Sequence, residues 1–108
     1  MDSYQINYSE EAVQDLQEIF EYISVDLMEP QTARSQVKRI REKIRSLDVF
    51  PERCKAVDWE PWDKQGIRQM PVDNFVVYFL IYDKEKAVQI VRIFYGKRDI
   101  PNVIERAT

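Results

Sequence analysis

Apolar Tyr4, Ile6 and Tyr8 alternate with polar Gln5 and Asn7, which predicts a short, half-buried strand near the start of the chain. The period then changes. Ser9 stands where a helix N-cap belongs, Glu10 and Glu11 follow in the first turn, and apolar residues recur at Ala12, Val13, Leu16, Ile19, Phe20, Ile23 and Leu27. This 3.6-residue spacing predicts a helix from about Glu10 to about Leu27. Pro30 disfavours helical geometry at Glu29 and suits the first turn of a second helix. That helix runs from about Gln31 to about Leu47 on a narrow seam of Ala33, Val37, Ile40, Ile44 and Leu47. The short connection makes an antiparallel helical hairpin. Residues equidistant from its tip then face each other, bringing Glu18 to Arg41, Asp15 to Arg45 and Glu21 to Lys38.

Beyond the second helix the period disappears. "FPERCKAVDWEPWDKQG" holds two prolines and two tryptophans, and reads as a long loop whose Trp59 and Trp62 cover an edge of the core. Three strand-like runs follow. "IRQMPV" is short, and Pro71 assigns it to an edge position or a strand end. Phe75–Tyr82 is apolar on both faces, as in a central strand, and a polar turn leads to Ala87–Tyr95 as its hairpin partner. Strict alternation in that last strand puts Arg92 with Val88, Ile90 and Phe94, opposite Val91, Ile93 and Tyr95. A short helical tail is expected over Pro101–Arg106. The order predicts an α+β fold: an antiparallel sheet in β-α-α-β-β-β order with the helical hairpin packed on one face.

Composition narrows the chemistry. At 108 residues the chain is expected to be one domain. No apolar run approaches the ~18 residues of a membrane helix, and "MDSYQINYSEE" has neither the basic start nor the apolar stretch of a secretory signal. A lone cysteine, Cys54, forms no internal disulfide, and the expected location is the reducing cytoplasm. With no histidine, an imidazole-based triad and paired-histidine phosphodiester cleavage are both excluded. Gly66 and Gly96 are too far apart for a glycine-rich phosphate loop, and nothing calls for a metal or other cofactor.

Charge adds an asymmetry. The net charge is −3, yet residues 1–30 carry eight acids and no base, whereas residues 31–108 carry sixteen bases against eleven acids. Part of that positive charge is a stripe on the second helix: Arg34, Lys38, Arg41 and Arg45. Its plainest explanation is pairing with the acid-only first helix along the hairpin seam. A second concentration closes the chain in "RIFYGKRDIP", with Arg92, Tyr95, Lys97 and Arg98 in or just past the last strand, and Arg68 on a neighbouring one. Guanidinium groups gathered on an open sheet face suit phosphates or a partner's carboxylates.

The run "GIRQMPVDNFVVYFLIYDKEKAVQIVRIFYGKRDIP", with the opening "YQINYSEEAVQDLQEIFEYI", resembles the RelE/ParE superfamily, the toxin halves of type II toxin–antitoxin pairs. Three features carry the resemblance: the Gly-hydrophobic-Arg entry at Gly66–Arg68, the tyrosine-rich central strand, and the closing aromatic–Gly–Lys–Arg–Asp. RelE-like members cleave messenger RNA on the ribosome without metal, and in that branch Arg68, Arg92 and Arg98 are the implied catalytic cations, helped by Lys97, with Tyr95 as acid or base. The match to that branch is incomplete. Its central-strand arginine falls at Val76 or its neighbours, its C-terminal tyrosine near Ile104, and a lysine of the preceding strand at Gln69 or Met70. ParE-like members bind DNA gyrase with no catalytic residues of their own, and this branch is the better match. The resemblance implies a toxin that docks on gyrase, or alternatively on the ribosome and messenger RNA, through Arg68, Arg92, Tyr95, Lys97 and Arg98. It also implies a cognate antitoxin and assembly as a homodimer or a toxin–antitoxin hetero-oligomer, with no membrane partner.

Overall fold

The structure, a computed structural model, describes residues 3–96. Its elements are β1 (Gln5–Tyr8), α1 (Glu10–Glu21), α2 (Pro30–Arg45), β2 (Lys55–Ala56), β3 (Arg68–Val72), β4 (Phe75–Tyr82) and β5 (Ala87–Tyr95). They form the expected α+β architecture, in a five-stranded sheet ordered β1-β5-β4-β3-β2. One pairing differs from a purely antiparallel sheet: β1 lies parallel to β5, from Gln5 opposite Ala87 to Tyr8 opposite Ile90. A helical hairpin between the first strand and the rest carries the chain across the sheet, as a parallel neighbour requires. The two-residue β2 adds an edge inside the long loop and pairs only with Arg68 and Gln69. Pro71 lies past the end of β2, where its missing N–H removes no ladder bond.

Ser9 caps α1 as its position suggested, accepting a hydrogen bond from the Ala12 amide at 3.0 Å while its hydroxyl donates to the Val91 carbonyl at 2.8 Å. The helical turns reach Asp26, but α1 ends at Glu21, and Tyr22–Asp26 continue as a wider π-helical turn. On α2, Ala33, Ile40 and Ile44 face inward and are fully buried, with Leu47 beyond them. Ile40, Ile44 and Leu47 meet Val77, Phe79, Val88, Ile90 and Ile93 from the sheet in the main core.

The second face of the sheet is also covered. Val57, Trp62, Ile67, Tyr78 and Phe94 form a second core, with Trp59, Val76, Leu80 and Val91 against it. The long loop supplies the tryptophans: Trp59 stacks on Trp62 at 5.1 Å, and Trp62 meets Tyr78 edge-on at 5.0 Å. The open, concave sheet surface expected from the sequence is therefore filled over this part by the loop. Two tethers close the periphery. The Tyr4 hydroxyl lies 3.0 Å from Glu52 and 3.1 Å from Asp83, and these contacts together with burial push its pKa up to about 12.

The second tether joins α2 to the β3–β4 turn. Asp73, in left-handed backbone at φ 55°, accepts from Gln36 at 3.0 Å and Arg39 at 2.8 Å. The Arg39 and Gln36 hydrogen bonds hold its pKa below the ordinary 3.8. A lowered folded-state pKa stabilises the fold above the unfolded value and is lost as pH falls through the lower one. Asp73→Asn is thus expected to flatten the acid limb of a urea-midpoint profile below pH 4, with its largest loss relative to wild type near pH 7.

Candidate functional site

The sequence singled out two basic regions, the strand arginines and the α2 stripe, and packing treats them differently. Gly66 adopts a left-handed φ of 78°, which favours glycine, and turns the loop into β3. Arg68 follows, opposite Phe79 and so on the helix side of the sheet. Its Nη1 donates to the Cys54 carbonyl at 2.7 Å and the Glu52 carbonyl at 3.3 Å, which pins the loop beside β2. Burial pushes the Cys54 thiol pKa up, so it stays protonated at neutral pH.

Arg92 lies on the other face. The β4–β5 register shifts between Tyr78 and Phe79, whose partners are Arg92 and Ile90, so Val91 is an extra residue in β5. This bulge resets the alternation. Val88, Ile90 and Ile93 all point to the helix-side core, and Arg92 shares the opposite face with Tyr78 and Phe94, its guanidinium 4.4 Å from the Phe94 ring. The grouping expected from strict alternation, Arg92 with Val88 and Ile90, is corrected by that one residue.

Asp15 holds Arg92 in place. Its carboxylate accepts from Arg92 Nε at 2.9 Å and Nη2 at 3.1 Å, and its Oδ2 also accepts from the Ile93 amide at 2.9 Å. The local reason is the end of β1: pairing with β5 stops at Ile90, and the backbone beyond needs another acceptor. α1 starts right after β1 and places Asp15 there. The Asp15 side chain is 7% exposed and that of Arg92 24%, and the Asp15 hydrogen bond raises the arginine pKa further.

Asp15 therefore does not face Arg45, and among the described residues no ion pair joins α1 to α2. The expected seam of Glu18–Arg41, Asp15–Arg45 and Glu21–Lys38 is replaced by an apolar hairpin interface. Arg34, Lys38, Arg41 and Arg45 line an open groove of about 400 Å³ together with Phe20, Val37 and Glu42. Burial pushes the Tyr8 phenol pKa up, opposed by a hydrogen bond and the charge of Arg41.

Tyr95 ends β5 opposite Phe75, exposed, its ring 5.8 Å from that of Phe75. It is on the Arg68 side of the sheet but level with Val72, four residues or about 13 Å further along β3. The sheet thus does not bring Arg68, Arg92 and Tyr95 together. Lys97, Arg98 and the helical tail expected over Pro101–Arg106 lie outside the described residues. Just before them, Gly96 donates its N–H to the Asn74 carbonyl at 2.8 Å, and a Cβ there would come within 3.3 Å of the same oxygen. A side chain at this position would press on the β3–β4 turn.

A chain of the chromosomal ParDE toxin–antitoxin system of P. aeruginosa matches with a TM-score of 0.73 at 23% identity, covering 88% of this chain and 98% of that one. A chain of the RelBE2 toxin–antitoxin complex of Mycobacterium tuberculosis matches at 0.64 and 18% identity, covering 88% and 93%. The archaeal RelE–RelB complex of Pyrococcus horikoshii gives 0.61 and 16%, covering 89% and 98%. These likenesses establish the shared fold. Among curated proteins none matches. The family model described as the ParE toxin of type II toxin–antitoxin systems, parDE, matches residues 6–100. Spanning nearly all of the sheet and hairpin described above, that match places the chain in the ParE toxin family of type II toxin–antitoxin systems.

Proposed function

We propose that this chain is a cytoplasmic growth-inhibiting toxin that docks on a large target, DNA gyrase, and is neutralised by a cognate antitoxin. The family match over residues 6–100 carries this reading. The packing of the strand arginines supports docking over catalysis. In-line cleavage of RNA needs cations free to meet a developing phosphorane. Here Arg92 is committed to Asp15, and Arg68 to two loop carbonyls on the other face of the sheet. A RelE-like nuclease reading would need both pulled from those partners and turned toward one phosphate beside Arg98. The antitoxin reading draws support from the solved neighbours that are toxin–antitoxin complexes.

Induction in a bacterial host tests the proposal. Growth should stop with chromosome integrity failing before translation, transcripts should remain intact, and co-expression of the antitoxin should restore growth. Codon-positioned cuts in messenger RNA on induction, lost in Arg98→Ala, would replace this reading with the nuclease. Overexpression with no growth defect would leave a toxin fold without activity.

A further inference from the structure

We infer that the outward face of α2 is a phosphate-binding rail for duplex DNA, carried by Arg34, Lys38, Arg41 and Arg45. The steps between these positions are four, three and four residues, so all four lie on one face and span about 16 Å of helix axis. Each is exposed, and none has a carboxylate partner among the described residues. Three of the four are arginines, whose planar fork matches a phosphate oxygen pair.

The helix is built to present them. Its inner face is anchored by Ala33, Ile40 and Ile44, and Gln36 and Arg39 fasten one flank to Asp73. The helix backbone beneath the rail is therefore fixed, and binding has only the side chains to order. Surface charge would confine the contact to this side: α1 has exposed Glu10, Glu11, Glu18 and Glu21 and no base, so its exposed face repels a polyanion.

The lining of the groove decides between a nucleic acid and an acidic helix. Beside the four cations it offers only Phe20 and Val37 as apolar contacts, with Glu42 as the one acid. An amphipathic helix needs apolar pockets at i, i+3, i+4 and i+7, whereas phosphate binding is driven by counterion release and needs the charge row alone. Single strands are disfavoured as well, since the row holds no ladder of aromatic stacking platforms. This inference does not rest on gyrase as the target and would hold for a toxin with any other.

Fluorescence anisotropy of a labelled 20-base-pair duplex, titrated with the purified chain, tests it. Four phosphate contacts predict that affinity falls about 150-fold between 50 and 200 mM salt. The triple variant Arg34→Gln, Lys38→Gln, Arg45→Gln should weaken binding at 50 mM salt and reduce that fall to roughly 4-fold. Lys84→Gln, in the remote β4–β5 turn, should change the slope little. Circular dichroism checks that the triple variant is folded, and each single variant should lower the log–log slope by about 0.9 if it is not. No binding of the wild-type chain at 50 mM salt would overturn the inference, as would an unchanged slope in the variants. Tighter binding of polyglutamate or of an RNA hairpin of equal length than of the duplex would also overturn it.

Discussion

Asp15→Ala should cost about 3 kcal/mol of folding stability or more, the largest loss expected from removing any one polar side chain in this protein. The change strands two groups at once: the half-buried Arg92 guanidinium and the buried Ile93 amide. At a domain of this size the melting temperature should drop by roughly 10 °C. Asp15→Asn keeps an acceptor for the amide but loses the charge, so it should fall between the alanine variant and wild type. Arg92→Ala leaves Asp15 with its amide partner and should cost less than Asp15→Ala. A double-mutant cycle between Asp15 and Arg92 should show clear coupling, because the two share one bidentate contact. Additive effects would mean that the contact contributes nothing in solution.

The second large effect is expected at Trp62. The residue is 7% exposed and joins Trp59 and Tyr78 in the cluster over the second sheet face. Trp62→Ala should cost about 3–5 kcal/mol, and Trp62→Phe clearly less, because the ring contact with Tyr78 survives in part. These are the only two tryptophans in the chain, and they are stacked. The same substitution should therefore abolish any exciton signal in circular dichroism. A variant as stable as wild type would mean that the loop does not cover the sheet.

How much of this was legible in the sequence follows from which interactions are local. Ser9 as a cap, Pro30 at the start of α2, Pro71 at an edge and the apolar run Phe75–Tyr82 are read from neighbours along the chain, and each is found as expected. The hairpin of β4 and β5 is fixed by a turn and a period. The site was harder, because the register is set across strands. Nothing in "VQIVRIFYG" announces that Val91 is the extra residue, yet that residue decides which way Arg92 faces. Asp15 looked like one acid among five on its helix. Its role comes from where β1 stops, which depends on a parallel pairing that joins opposite ends of the chain. The salt-bridged seam failed for a related reason: charges of opposite sign on adjacent helices suffice to suggest pairing, but side-chain direction decides it. The result is a basic row left open to solvent.

In the proposed function this ParE-family chain acts by docking on its target. A supercoiling assay with purified DNA gyrase and the purified chain tests it most directly. Inhibition should appear at near-stoichiometric toxin and be relieved by the antitoxin. It should come without codon-positioned cleavage of messenger RNA, which a nuclease mechanism would require. Undisturbed supercoiling at a large excess of folded toxin would contradict the claim.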